Sequence, residues 1–179
     1  MQNVLVIGGA GFIGSHLVDV LIQEPINVFV YDTDPGREQI AASMGFSIFK
    51  TGNSDFNQFD LAFNASASGD ALQLCIDTTL PESKIIEVSW YGLSTVNIRL
   101  GGSFHINQKQ IIASQVSNIP VIKQGHFNYK RRKELVFDLL QNPIFDQLPF
   151  QLVSLDKLPE ILSQLRNHEY KHFATIVKY

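Results

Sequence analysis

"VLVIGGAGFIGSHLVDVL" (residues 4–21) runs from an apolar stretch through a cluster of glycines into a segment with apolar residues at helical spacing. Its first part falls within Asn3–Ile7, a continuous Val- and Ile-rich run, as a strand covered on both faces must be. The helix is expected over Phe12–Gln23, with Ile13, Leu17, Val20 and Leu21 at 3.6-residue spacing and Pro25 to stop it. A buried strand, a tight glycine turn and a helix in that order form the first half of a βαβ unit.

The same alternation continues outward from this unit. Asn27–Tyr31 reads as a second buried strand. Asp34 can cap a helix that has Pro35 at its first position and Gly45 past its end. Phe46–Phe49, Asp60–Asn64, Lys84–Ser89 and Gln110–Val116 read as further strands. Ser68–Thr78 reads as a helix with Ala71, Leu72, Cys75 and Ile76 on one face, and Tyr91–Asn107, with Gly92, Gly101 and Gly102, as a loop. Strands separated by helices imply right-handed crossovers and a parallel sheet. The expected fold is therefore α/β: a Rossmann-type, doubly wound sheet of six parallel strands in the order 3-2-1-4-5-6.

The tail reads differently. Tyr129–Gln141 is expected to be a helix with Leu135, Val136, Leu139 and Leu140 facing inward, stopped by Asn142-Pro143. Pro149–Val153 is strand-like. Asp156–Arg166 is helical, with Leu158, Ile161, Leu162 and Leu165 on one side, and Phe173–Tyr179 is a last strand. These segments form a C-terminal extension, mainly helical. The division expected is 1–122 for the dinucleotide-binding domain and 123–179 for an extension packed on it.

Composition narrows the function classes. The chain has 179 residues, 45% of them hydrophobic, enough for a folded core. A net charge of −3 gives no electrostatic footprint for nucleic acid. No apolar run approaches the length of a membrane span, and no basic segment followed by an apolar block marks a signal peptide. The single cysteine, Cys75, excludes an internal disulfide framework and fits a reducing, cytoplasmic setting.

Gly9-x-Gly11-x-x-Gly14 supplies the chemistry. Gly9 can take the backbone angles of a tight turn, Gly11 leaves room for a pyrophosphate, and Gly14 lets the helix pack close. The helix N-terminus at Phe12 and Ile13 then presents free N–H groups and a positive dipole end. Gly8 offers a second register, Gly8-x-x-Gly11-x-x-Gly14, so the turn is uncertain by one residue. Asp32 lies 18 residues past Gly14, at the end of the second strand. A carboxylate there accepts hydrogen bonds from ribose hydroxyls and repels a 2′-phosphate, which favours NAD over NADP. The plain alternative is a tight turn and a solvated loop acid.

Two resemblances follow from these residues. GGAGFIGSHLVD resembles the opening of the extended short-chain dehydrogenases and sugar-nucleotide epimerases. That likeness implies a Tyr-x-x-x-Lys catalytic pair. Tyr129 and Lys133 fit the spacing, though after the sixth strand where the family has it after the fifth. From Val28 onward the chain resembles the coenzyme half of the zinc-type, medium-chain alcohol dehydrogenases. The residues that carry this likeness are Asp32-Thr33-Asp34-Pro35-Gly36-Arg37, FDLAFNASASG (59–69), IIEVSWYG (85–92) and LGGSFHINQKQIIASQV (100–116). It implies NAD as cofactor, a cofactor-binding role for Arg37, Ala65, Ser66 and Ser89, and hydride transfer between an alcohol or carbonyl and nicotinamide.

In that family a barrel-shaped catalytic domain carrying the zinc ligands precedes the Rossmann domain, and this sequence begins at the first Rossmann strand. The expectation is a coenzyme-binding domain not catalytic alone, with no metal site of its own and a separate catalytic subunit as one possible partner. The other readings are a short-chain oxidoreductase or epimerase using Tyr129 and Lys133, and a non-enzymatic NAD-binding module.

The remaining residues are weighed more briefly. His168 and His172 share i, i+4 spacing, but on a loop. His105 reads as a solvated loop histidine, and Cys75 as a small buried hydrophobe. Lys130–Lys133 reads as a solvated helix face or a phosphate grip. Trp90 and Tyr91 are candidates either to shape a nicotinamide pocket or to cap the core. The apolar sixth strand, at a sheet edge, is expected to pair across a two-fold axis in a homodimer.

Overall fold

The computed structural model describes residues 1–43, 45–52, 59–141, 150–167, 169 and 174–179. The helix stop at Asn142-Pro143, the strand starts at Pro149 and Phe173, His168, His172 and the Phe12 side chain lie outside the described residues. The chain divides into two compact units, Met1–Gln115 and Val116–Tyr179.

The first unit holds β1 (Asn3–Ile7), α1 (Phe12–Leu21), β2 (Asn27–Tyr31), α2 (Pro35–Ser43), β3 (Ser47–Ile48), β4 (Phe59–Asn64), α3 (Gly69–Thr78), β5 (Thr79–Glu87) and β6 (Gln110–Ala113). All pairings are parallel and the order is β3-β2-β1-β4-β5-β6, as the alternation of elements implies. Strand alternation explains the layering. On β1, Leu5 and Ile7 join Phe59, Ala62, Ile85 and the α3 residues Ala71, Leu72, Cys75 and Ile76 in one core. Val4 and Val6, pointing the other way, pack with Val18 of α1, Val28 and Val30 of β2 and Ala41 of α2. All four β1 side chains are essentially inaccessible to solvent. Burying each is worth roughly 1.5–3 kcal/mol, so β1 is the spine of the sheet.

Several local expectations are corrected. The buried stripe of α1 runs through Ser15, Val18 and Asp19, while Ile13 and Val20 are exposed. β5 starts at Thr79, directly after α3, with a register shift between its pairing at Phe59 and at Leu61. Glu82, at φ +60, takes the shift, and its N–H donates to the Asn107 carbonyl. The loop expected over Tyr91–Asn107 contains a π-helical turn at Leu100–Phe104, kinked at Gly102.

The second unit holds α4 (Tyr129–Leu139), β7 (Phe150–Ser154), α5 (Leu158–Arg166) and β8 (Ala174–Lys178). β7 and β8 fall where the sequence read strands in the tail, and they pair in parallel, so the extension is mixed α/β. Leu135, Val136, Leu139 and Leu140 do not face inward; each is 44–50% exposed. On α5 only Ile161 is buried, with Leu162 and Leu165 exposed. No helix among the described residues is long and apolar enough to cross a membrane.

Candidate dinucleotide cleft

In a 3-2-1-4-5-6 sheet the crossovers from β1 to β2 and from β4 to β5 run on opposite faces. A crevice therefore opens where β1 and β4 end side by side. There lies a cleft of about 340 Å³, lined on one side by Gly8, Gly11, Tyr31, Asp32, Thr33 and Arg37 and on the other by Ala65, Ser66, Ser68, Asp70, Ala71 and Leu74. The structure thus brings together Gly11, Asp32, Arg37, Ala65 and Ser66 from the sequence candidates. Gly9, Gly14 and Ser89 do not line this cleft.

The left-handed residue of the turn is Gly8 (φ +74), which settles the register the sequence left open. A Cβ on Gly8 would also sit 3.0 Å from the Ala65 carbonyl. Gly14 answers to packing: a Cβ there would stand 2.0 Å from the Gly8 oxygen, so the first turn of α1 lies directly on the glycine turn. Gly9 makes room beneath, where a Cβ would come within 2.9 Å of Val30 and 3.0 Å of the Val6 oxygen. Gly11 is the N-cap of α1 and donates no side-chain cap, which leaves the helix mouth to a ligand.

Asp32 follows the last residue of β2. Its Oδ1 accepts the Asp34 N–H at 3.1 Å. Burial pushes its carboxyl above the usual range, opposed by the Asp34 amide and by Arg37. Asp34 in turn accepts the Gly36 and Arg37 amides and pairs with the Arg37 guanidinium at 3.8 Å. A Cβ on Gly11 would lie 3.8 Å from Nη1 of Arg37, so this cation overhangs the glycine turn.

Sequence reasoning missed the polar cluster behind the cleft. Asn64, at the end of β4, donates from Nδ2 to Oε2 of Glu87 and to the Tyr91 hydroxyl, both at 2.9 Å. Tyr91 donates to Oε2 of Glu87 at 3.0 Å. Burial and the neighbouring Glu87 hold the Tyr91 phenol well above its ordinary value. The Cys75 thiol is raised by burial and by the same carboxylate, so it is an inert core residue. The signal was present: Asn64 and Glu87 are polar residues closing buried strands, where each must find a partner. Trp90, by contrast, is 86% exposed.

Tyr129 and Lys133 lie in the second unit and each has another partner. The Tyr129 hydroxyl donates to the Ser117 carbonyl at 3.0 Å, and the Lys133 ammonium sits 5.8 Å over the Phe137 ring. No cluster of three or more His, Cys, Asp or Glu among the described residues could hold a metal ion.

Residues 4–72 match the model of the NAD dependent epimerase/dehydratase family. No curated protein sequence matches the chain. Among solved structures, the acetophenone reductase of Geotrichum candidum in complex with NAD aligns at TM-score 0.75 and 16% identity, over 100% of this chain and 49% of that one. A cinnamyl alcohol dehydrogenase of Sorghum bicolor aligns at TM-score 0.73 and 10% identity, over 98% of this chain and 47% of that one. The 2R,3R-butanediol dehydrogenase of Bacillus subtilis aligns at 0.71 and 16%, over 99% and 51%. The fold shared with these chains is a Rossmann fold. This chain spans about half the length of the solved chains it matches.

Proposed function

We propose that the chain is the NAD(H)-binding half of an alcohol dehydrogenase-like oxidoreductase, and that the groups acting on the alcohol or carbonyl come from a further segment or subunit. One observation carries the reading. A cleft at the β1/β4 switch point has an uncapped helix mouth at Gly11 and a carboxylate, Asp32, at the end of β2. The cradle fits the adenosine diphosphate part of a dinucleotide. Gly11 gives the diphosphate close approach to the amides of α1, and Asp32 is placed to accept from the ribose hydroxyls. Bound nicotinamide would supply the hydride acceptor or donor.

The residues of this chain bind and orient. Asp32 disfavours a 2′-phosphate, and Arg37, held by Asp34, is the one cation lining the cleft among the described residues. NAD is therefore the favoured coenzyme. Calorimetry with NAD, NADH and NADP is the test. The expected result is binding of NAD and NADH, weaker binding of NADP, and loss of that preference in Asp32→Ala. No heat from any of the three at millimolar concentration would refute the reading.

A short-chain oxidoreductase or epimerase is the second reading, supported by the family match over residues 4–72. It assigns the proton transfer to Tyr129 with Lys133 beside it, and unchanged turnover in Tyr129→Phe would end it. We further propose a homodimer formed through β6, an edge strand whose Ile112 is 39% exposed.

A further inference from the structure

We infer that Tyr91 and Glu87, which do not line the cleft, are positioning residues for the dinucleotide, bracing the cleft wall 65–68 through Asn64 and, from the Tyr91 hydroxyl, at the Ser68 carbonyl 3.4 Å away; this rests on the dinucleotide reading above. The wall is the turn between β4 and α3. Its backbone abuts the glycine turn, since a Cβ on Gly8 would lie 3.0 Å from the Ala65 carbonyl carbon and 3.2 Å from the Ser66 nitrogen. A shift of the wall therefore changes the width of the cleft.

The wall is also strained. Ala67 stands at φ +53, a left-handed conformation that is disfavoured for a residue with a Cβ. Such a conformation persists only when the surroundings over-determine it. Here two sets of hydrogen bonds do so. The Ala67 N–H donates to Oγ of Ser89 at 2.8 Å, and the Ser89 hydroxyl donates to the Asn64 carbonyl at 3.0 Å. The Ser66 hydroxyl and N–H both donate to Oδ1 of Asn64, at 2.7 and 3.2 Å.

The orientation of the Asn64 amide is thus decisive, because only its oxygen can accept from Ser66. Glu87 and Tyr91 set that orientation. Oε2 of Glu87 accepts from the Asn64 amide and from the Tyr91 hydroxyl, while Oε1 accepts the Ser89 N–H at 2.9 Å. Tyr91 accepts the second Asn64 proton. Both protons and the oxygen of the Asn64 amide are used, and only one rotamer satisfies them. The cluster has no donor left for a ligand, so its part is to brace the wall.

Tyr91→Phe keeps the ring and removes the hydroxyl, leaving Glu87 as the one acceptor that holds the Asn64 amide nitrogen. The expected result is NADH binding weakened about fivefold or more, the scale of one net hydrogen bond. Ser89→Ala, which releases the Ala67 amide, is expected to weaken it similarly and decides the matter if Tyr91→Phe does not fold. A residue that only stabilises the fold would lower the melting temperature and leave the dissociation constant of the folded protein alone. Coupling is the second readout. In a Ser66→Ala background the shorter of the two Ser66 bonds to Asn64 Oδ1 is gone, so adding Tyr91→Phe should weaken NADH binding by a smaller factor than it does in the wild type. Wild-type binding of NADH, with both folded variants within twofold of it or with fully additive effects in the Ser66→Ala background, overturns this inference alone. Absence of wild-type binding overturns the dinucleotide reading and this inference with it.

Discussion

Replacing Gly14 by alanine sets two well-measured effects against each other. Gly14 is in the first turn of α1, and alanine inside a helix is favoured over glycine by roughly 0.8–1.0 kcal/mol. Judged by helix propensity alone, Gly14→Ala should stabilise the chain. The packing says otherwise. The new methyl carbon would stand 2.0 Å from the Gly8 oxygen, 2.7 Å from the Gly8 carbonyl carbon and 2.8 Å from the Gly9 Cα. All three atoms are backbone, so no side chain can swing away. Reaching ordinary contact, at 3.4 Å or more, requires α1 to lift from the turn by more than an ångström. Forced overpacking of this kind costs about 1–3 kcal/mol and outweighs the propensity gain.

The expected net loss is up to about 2 kcal/mol, or about 4–8 °C in melting temperature for a chain of this size. The lifted helix also moves its amides away from the ligand position, so NADH affinity should fall by at least about tenfold, or ~1.4 kcal/mol. Gly36→Ala is the control. It lies in the first turn of α2, and its added Cβ would meet only Asp34 Oδ1, at 3.2 Å. There the propensity gain should survive and the melting temperature should hold or rise. Thermal unfolding and calorimetry on both variants decide the case. A Gly14→Ala protein that melts higher than wild type and binds NADH unchanged would refute the argument.

Three further perturbations test the rest. Lys109 is buried and its ammonium donates to the Ile76 and Thr79 carbonyls at the end of α3, so Lys109→Met takes a charged donor from both, leaving Ile76 the longer bond from the Ser103 hydroxyl at 3.3 Å. The expected loss is about 2–3 kcal/mol by denaturant unfolding, and a variant as stable as wild type would count against that role. Asp19 is 4% exposed with no partner for Oδ1, and burial raises its carboxyl above the unfolded value. A raised acid binds more protons folded than unfolded, so its contribution to stability falls as pH rises through its titration range. Asp19→Asn should therefore raise the melting temperature at pH 7 and gain less near pH 4, and equal gains at both would refute the assignment. Ile112→Lys on the β6 edge should yield a monomer in light scattering if β6 is the dimer interface.

The sheet was legible because its signals are local and mutually consistent. β1, β2 and β4 are largely apolar runs between recognisable turns, and the Asp34 side chain caps α2 by accepting the Gly36 and Arg37 amides. Elements in the order β-α-β then leave few topologies. Errors arose where one periodic pattern has two outcomes. Ile13 and Val20 are as apolar as Val18, yet the glycine turn fixes the angle at which α1 docks, and that angle puts Val18 inside and the other two in solvent. On α4 the spacing of Leu135, Val136, Leu139 and Leu140 gives a face but not what covers it, and all four remain exposed.

The site divides in the same way. Gly11 and Asp32 declared themselves because their roles are set by the backbone positions that the strand–turn–helix pattern fixes. Asn64 and Glu87 did not, and Tyr91 stood only as a candidate pocket wall or core cap, because their joint role depends on β4 and β5 ending side by side. Val88 N–H donating to the Asn64 carbonyl, and Asn64 paired with Glu87 in the ladder, bring together residues 23 positions apart in sequence. Sequence spacing carries no trace of that pairing, but the buried polar residue at the end of each strand does. A polar group there costs about 1–3 kcal/mol if left unpaired, so each one implies a partner on the neighbouring strand. For β4 and β5 these partners meet at the carboxyl edge, where the ligand crevice also opens. The brace and the cleft are for that reason products of one topological fact, the adjacency of β4 to both β1 and β5.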